Sequence, residues 1–323
     1  MLDPTYTFPS RQTLKKMVEE KYKDAKEKAK EDVKKARAEW GIQNEVRCLV
    51  TDAAANMIAC ASRLKMHHTN CLAHALNLVV KKAIEQTPGL EDIRVKARKI
   101  VAHFKSSTTA REKLLLLQNQ MGKPNHKLIQ EVDTRWNSTY AMLERLFAQK
   151  EPVGAAMISL KTNLTPLTSE EYQTVNECLG VMCYFNEAST ELSEEKRVSG
   201  SKVIPLIRML RHAITSKTSQ VHDDTALQLC NNLLRLISER MSTYETMSVM
   251  TLATLLDPRF KTIGFCSQSN AQTAVRRLTA ECAAMIRAAE NTPSTSSQIP
   301  SLQSETSGAT GSDAINSGTF WYI

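Results

Sequence analysis

From Ala73 onward, apolar residues return every three or four positions almost without a break. That period admits little besides packed amphipathic helices. Ile93, Ala97, Ile100, Val101 and Phe104 share one face of the segment after Glu91. Trp136, Tyr140, Leu143 and Phe147 do the same after Asp133, which reads as an N-cap. Leu227, Cys230, Leu234, Ile237 and Met241 repeat the spacing behind a cap formed by Asp223, Asp224 and Thr225. Such stripes predict core-facing packing surfaces. Pro258, within LLDPRF at 255–260, ends one helical run, and one more helix is expected around 273–289. With ten glycines, ten prolines and an aromatic share of 5%, the composition also favours helix over sheet.

Ahead of the helical stretch the pattern changes. An apolar run over 46–51 (Val46, Cys48, Leu49, Val50) is the best strand, and 67–72 is a weaker one. The residues between, 53–64, read as a helix. Asp52 stands at the carboxyl end of the first strand, where an open α/β sheet places its chemistry. Its alternative role is to cap the helix that starts at Ala53.

Charge is unevenly spread. Lys and Arg number 42 against 34 acids, a net +8, yet residues 291–323 hold no base and two acids, Glu305 and Asp313. The excess permits contact with phosphate backbones without requiring it. Residues 11–39 interleave lysines with acids, which predicts a solvated, salt-bridged helix, with a DNA-gripping basic helix as the competing reading. Arg135 and the group Lys81, Lys82, Arg94, Lys96, Arg98 and Lys99 would either line a DNA path or form solvated helix faces. The Ser-, Thr- and Gly-rich stretch 291–323 cannot bury enough surface to offset chain entropy and is expected to be disordered. Nothing in the sequence explains its closing FWYI.

No run of eighteen apolar residues suggests a membrane span, and the N-terminus MLDPTYTFPSR lacks the apolar core of a secretory signal. The eight cysteines (48, 60, 71, 178, 183, 230, 266 and 282) include no C-x2-C pair. They read as free thiols of a reducing compartment, with no zinc-finger spacing. His67, His68, Cys71 and His74 form a compact cluster that invites zinc. If 67–72 is a strand, however, its side chains alternate faces and the four cannot converge. Cys71 then becomes a buried thiol and His74 a hydrogen-bonded residue at the strand-to-helix turn.

Several blocks in fixed order carry a resemblance: DPTYTFPSRQTL at 3–14, EWGI at 39–42, VTDAAANM at 50–57, NCLAHALNLVV at 70–80, HFKSSTTAREKL at 103–114, KLIQEVDTRWNSTYAMLERL at 127–146 and ATLLDPRFK at 253–261. Over roughly residues 3–285 the chain resembles hAT-family transposases, and most closely the zinc finger BED domain proteins related to them. The resemblance implies an RNase H-like catalytic domain interrupted by a large all-helical insertion. In that family three acids hold two divalent metals, which activate a nucleophile and stabilise the leaving oxygen of a phosphoryl displacement. Asp52 matches the second acid, Cys71 and His74 match the family's C-x2-H motif, and Trp136 matches a tryptophan that stacks near a flipped base.

The departures from the family pattern are larger than the matches at its catalytic positions. The block that carries the first acid and the first three strands has no counterpart between Tyr22 and Trp40. The third acid, the C-terminal dimerisation segment and the BED finger are also not found. A lone Asp52 cannot organise a metal pair, so the ancestral Mg or Mn site is expected to be lost and the chain to be catalytically inactive. The resemblance therefore implies a mainly α protein with a small α/β part. Its expected divisions are a charged helical segment at 1–42, a truncated RNase H-like core at 43–85, an all-α insertion-type domain at 86–290 and the tail at 291–323. With its neighbours deleted, the 46–51 strand would present open edges. The implied setting is nuclear, with DNA or nuclear proteins as partners, no cofactor, no membrane and no small-molecule substrate. A helical protein–protein interaction module without DNA affinity is the alternative, and an active transposase the third reading.

Overall fold

The computed structural model describes residues 10–39, 48–52, 54–63, 65–193 and 200–290. Outside the described residues lie 3–9 of the first block, 40–42 of EWGI, Val46 and Arg47 of the expected strand, Ala53 and Leu64 of the expected helix, and the stretch 291–323 with its FWYI. The chain divides into two compact units between Asn70 and Cys71.

The first unit holds α1 (Arg11–Glu39), β1 (Cys48–Thr51), α2 (Ala55–Arg63) and β2 (His67–Asn70). The alternating charge of α1 leaves it exposed at Met17, Val18 and Tyr22 as well as at Lys15, Lys16, Lys21, Lys23, Lys28 and Lys35. Lys15 lies 3.9 Å from Glu19 one turn on, a contact between two well-exposed side chains that adds little stability. β1 and β2 pair in parallel, Cys48 opposite His67 and Thr51 opposite Asn70, and among the described residues they form a two-stranded sheet. A parallel pair needs a crossover, and α2 supplies it. The second strand ends at Asn70, two residues short of the sequence expectation, because Cys71 is the N-cap of the following helix.

The second unit is helical: α3 (Leu72–Glu85), α4 (Pro88–Ser106), α5 (Thr108–Gln120), α6 (Trp136–Ala148), α7 (Lys150–Ser159), α8 (Ser169–Ser193), α9 (Val203–Thr218), α10 (Asp224–Met241), α11 (Ser248–Leu256) and α12 (Gln268–Glu290). α8 is the central member, packed against α3, α4, α6, α9 and α10. It buries Val175, Cys178, Val181, Met182 and Phe185. α3 contributes Leu76, Val79, Val80, Ala83 and Ile84 to the same core. Its apolar face packs against α4, α6, α8 and α10.

The predicted α4 stripe is buried throughout. On α10, Cys230, Ile237 and Met241 are buried, while Leu227 and Leu234 sit at the margin of a face centred on Leu229, Leu233 and Leu236. That face is broader because α10 packs against α3, α8 and α9. The Asp223 cap is present: its carboxylate accepts from Ala226 N at 2.9 Å. The Thr225 hydroxyl lies so close to Gly89 that a Cβ there would come within 2.7 Å of it, so α4 begins against α10 only because that position carries no side chain.

α11 stops at Leu256, before Pro258, as expected. The Asp257 carboxylate accepts from Arg259 Nε at 2.9 Å, Arg259 Nη2 at 2.7 Å and Ser201 Oγ at 2.7 Å. This ties the end of α11 to the turn Gly200–Lys202 that opens α9. Arg259, then Ser201, hold the carboxyl well below the ordinary carboxylate range. A carboxyl depressed in the folded state stabilises the fold above its unfolded pKa, and that contribution is lost as pH falls toward the folded value. The melting temperature should therefore decline below about pH 4. Asp257→Asn should have a lower Tm at neutral pH and a flatter decline, as read by thermal melts from pH 2 to 7. Identical pH profiles for the two proteins would refute this role.

Candidate functional site

The motif residues fall in different places. Asp52, at the end of β1, is exposed, and its Oδ1 accepts from Ala54 N at a long 3.4 Å. α2 starts at Ala55, so Asp52 is not its N-cap; the carboxylate makes a local turn contact ahead of the helix. His67 is exposed, and His68 Nε2 lies 2.7 Å from Thr51 Oγ1 across the sheet. Cys71 is partly buried at the start of α3, near the Tyr244 hydroxyl, whose pKa is pushed up to about 12, mainly by its own burial. The His74 ring, half-buried, has no hydrogen bond among the described residues, contrary to expectation. Among the described residues no three His, Cys, Asp or Glu side chains converge in a way that could hold a metal ion.

The residues of TRWNSTY are brought together with α3 and α4. Trp136 is 2% exposed and sits at the first position of α6. Its indole packs edge-on against Tyr140 and Phe185, with ring centroids 6.2 and 6.4 Å away. Asn77 on α3 brackets this start: its Oδ1 accepts from Trp136 N at 3.0 Å and its Nδ2 donates to Thr134 O at 3.2 Å. Lys81, one turn further along α3, donates to Asp133 O at 2.8 Å. Ser138 closes the turn from the other side, donating to the carbonyl of Arg135 at 2.6 Å and accepting from Val132 N at 2.7 Å. Arg135, not Asp133, is the N-cap residue of α6; its side chain is exposed and without a hydrogen bond or ion pair among the described residues.

Glu131 holds the network together. Its side chain is 1% exposed. One oxygen accepts from Arg94 Nη1 at 2.9 Å and from Arg98 Nε, and the other from Thr139 Oγ1 at 2.8 Å. Arg94 also forks onto Glu91, through Nε at 2.8 Å and Nη2 at 2.6 Å, and Arg98 reaches Asp133. The hydrogen bonds to Glu91, together with the charge of Glu131, raise the Arg94 guanidinium pKa above its ordinary value; Glu131 does the same for Arg98. Asp133 stands two residues before that N-cap, and its carboxylate faces Arg98 instead. A cleft of about 340 Å³ opens beside this network, bounded by Lys81, Glu85, Arg94, Arg98, Asp133 and an edge of Trp136.

This arrangement binds chain to chain. Of the predicted basic set, Arg94 and Arg98 are spent on Glu91, Glu131 and Asp133. Lys96 pairs with Glu171 and Lys82 with Glu85. Lys99 and Arg135 remain exposed without a side-chain partner among the described residues. Sequence reading did not single out Glu131 or Asn77. The available signal was Arg94 and Arg98, four apart on one face of α4, where two adjacent cations call for a shared carboxylate.

Residues 69–181 match the family model of the ZBED1 RNase-like helical domain. Homologues at modest identity are zinc finger BED domain proteins and hAT-type transposases. Human zinc finger BED domain-containing protein 4 is 30% identical over 207 residues, covering 62% of this chain and 17% of that protein. Human zinc finger BED domain-containing protein 6 is 28% identical over 219 residues, 66% of this chain and 22% of that protein. A putative AC transposase from Zea mays is 31% identical over 140 residues, 38% of this chain and 16% of that protein. The chain thus spans about a fifth of the length of the relatives it matches. The matched region runs from the end of β2 to the middle of α8, and so contains Asn77, Arg94, Arg98, Glu131 and Trp136.

Proposed function

We propose that this chain is a non-catalytic, transposase-derived helical module of a nuclear protein associated with DNA or chromatin. The observation that carries the reading is the use made of the motif around Trp136. The ring that would stack on a base in a transposase is core, and the arginines beside it are held by Glu131. Asp52, at the position that matches the family's second acid, is exposed and its carboxylate makes a local contact with Ala54 N, which supports loss of phosphodiester chemistry. The parallel pair β1 and β2 with its crossover helix is read as the residue of an RNase H-like core. Relatives named as zinc finger proteins and as a transposase support the nuclear, DNA-associated setting.

The test is incubation of the protein with a DNA duplex in Mg²⁺ or Mn²⁺, together with binding at two salt concentrations. No strand cleavage is expected, and binding should be weak and fall steeply as salt rises. Cleavage that disappears in Asp52→Ala would overturn the non-catalytic reading. The consumption of Arg94, Arg98 and Lys96 in ion pairs favours a second reading, a protein-interaction module with no DNA affinity of its own. Absence of binding even at low salt would establish that one.

A further inference from the structure

A second concave surface lies on α5, away from Trp136. The end of α4 (Phe104, Lys105), one side of α5 (Thr108, Arg111, Leu114, Leu115) and the segment 125–128 enclose a groove of about 540 Å³. Phe104, Leu114 and Leu128 are largely buried beneath it, and Leu115 stands 46% exposed within it. Leu116 and Met121, on the same helix and just beyond its end, are also exposed, at 48% and 43%. α5 therefore carries more apolar surface than α4 and α7, its packing partners, cover.

The far wall is fixed in place. The buried Gln118 donates to His126 O at 3.0 Å and to Gln149 Oε1 at 2.9 Å. Arg145 Nη1 donates to Lys127 O at 3.1 Å, and Lys123 N to Gln118 O at 2.8 Å. A groove with a pinned wall needs little ordering on binding, which lowers the entropic cost of filling it.

Its charge selects the occupant. Lys105, Arg111 and Lys127 line the groove against one carboxylate, Glu112. None of the three makes an ion pair among the described residues, and the one side-chain bond of Arg111 goes to Thr108 Oγ1 at 3.3 Å. This contrasts with Arg94, Lys96 and Arg98 earlier on α4, which are neutralised. We propose that this groove docks an acidic amphipathic peptide segment of a partner protein. Its apolar side chains would rest on Leu114, Leu115 and Leu128, and its carboxylates would meet Lys105, Arg111 and Lys127. The proposal does not depend on whether the chain touches DNA.

The experiment uses the full chain and a fluorescein-labelled helical peptide with leucines at i, i+3, i+4 and i+7 and glutamates elsewhere. Fluorescence anisotropy should show saturable binding of this peptide and none of the same peptide with lysines replacing the glutamates. Leu115→Glu should weaken binding at least tenfold, and the double variant Lys105→Glu, Lys127→Glu should do so while gaining affinity for the lysine peptide. All these positions are exposed or at the rim, so far-UV circular dichroism should be unchanged. Equal binding of both peptides, or affinity untouched by either variant, would overturn the proposal. Binding of a DNA duplex that is lost in the same double variant, with no binding of the glutamate peptide, would assign the groove to nucleic acid instead. Peptide affinity that rises in Trp321→Ala would assign it to the chain's own closing residues; either result refutes a partner peptide.

Discussion

Replacing Trp136 with alanine is expected to destabilise the helical unit by about 3–5 kcal/mol, the range for truncating a large, fully buried aromatic. The indole is 2% exposed and fills the angle between Tyr140 on its own helix and Phe185 on α8. Its removal takes away both edge contacts and leaves a void that the surrounding helices can close only in part. At about 2–4 °C per kcal/mol for a unit of this size, the melting temperature should fall by roughly 6–20 °C. Trp136→Phe keeps a ring against Phe185 and should cost distinctly less. Urea titration followed by circular dichroism at helical wavelengths provides the comparison. A loss below about 1 kcal/mol for alanine, within the range of surface substitutions, would show that the ring is not structural. The reading of this motif as core would then fail.

Glu131→Ala is expected to cost about 2–4 kcal/mol, since breaking a buried ion pair leaves its partner charge uncompensated. The lower part of that range applies because Arg94 keeps Glu91 and Arg98 keeps Asp133, and Arg98 is one-third exposed and screened accordingly. The informative comparison is a cycle. Exchanging Arg94 and Glu131 together for methionine removes both charges and should restore part of the loss seen with Glu131→Ala. Should the double variant be less stable than the single one, the carboxylate would be contributing packing and not charge compensation. Hydrogen exchange adds a spatial readout: the start of α6 should lose protection in Glu131→Ala before the centre of α8 does.

What the sequence revealed and what it concealed divide by distance along the chain. Local rules were legible. The period of Ile93, Ala97, Ile100, Val101 and Phe104 located the inner face of α4, Asp223 capped α10, and Pro258 marked the end of α11. Margins were less so, because Leu227 and Leu234 were placed by a single stripe while α10 has neighbours on several sides. Asp133 illustrates the failure at long range. Its position before an apolar period satisfies the capping pattern, yet a guanidinium 35 residues away claims it. Glu131 was overlooked for the same reason, since its three donors come from positions 94, 98 and 139. Asp52 was legible as the end of a strand but not as an N-cap, because α2 begins at Ala55.

The anchors around residues 123–135 share a property with an evolutionary consequence. Gln118, Arg145, Gln149, Asn77 and Lys81 reach this segment through main-chain carbonyls, those of His126, Lys127, Pro124, Thr134 and Asp133. Every residue type supplies that acceptor. Apart from Leu128, Glu131 and Asp133, whose side chains are themselves engaged, lineages could therefore rewrite the side chains along this connection while its course stays the same, provided the few donors that grip it persist. Mutational drift should accumulate at those other positions of the strap and be resisted in the helices that hold it.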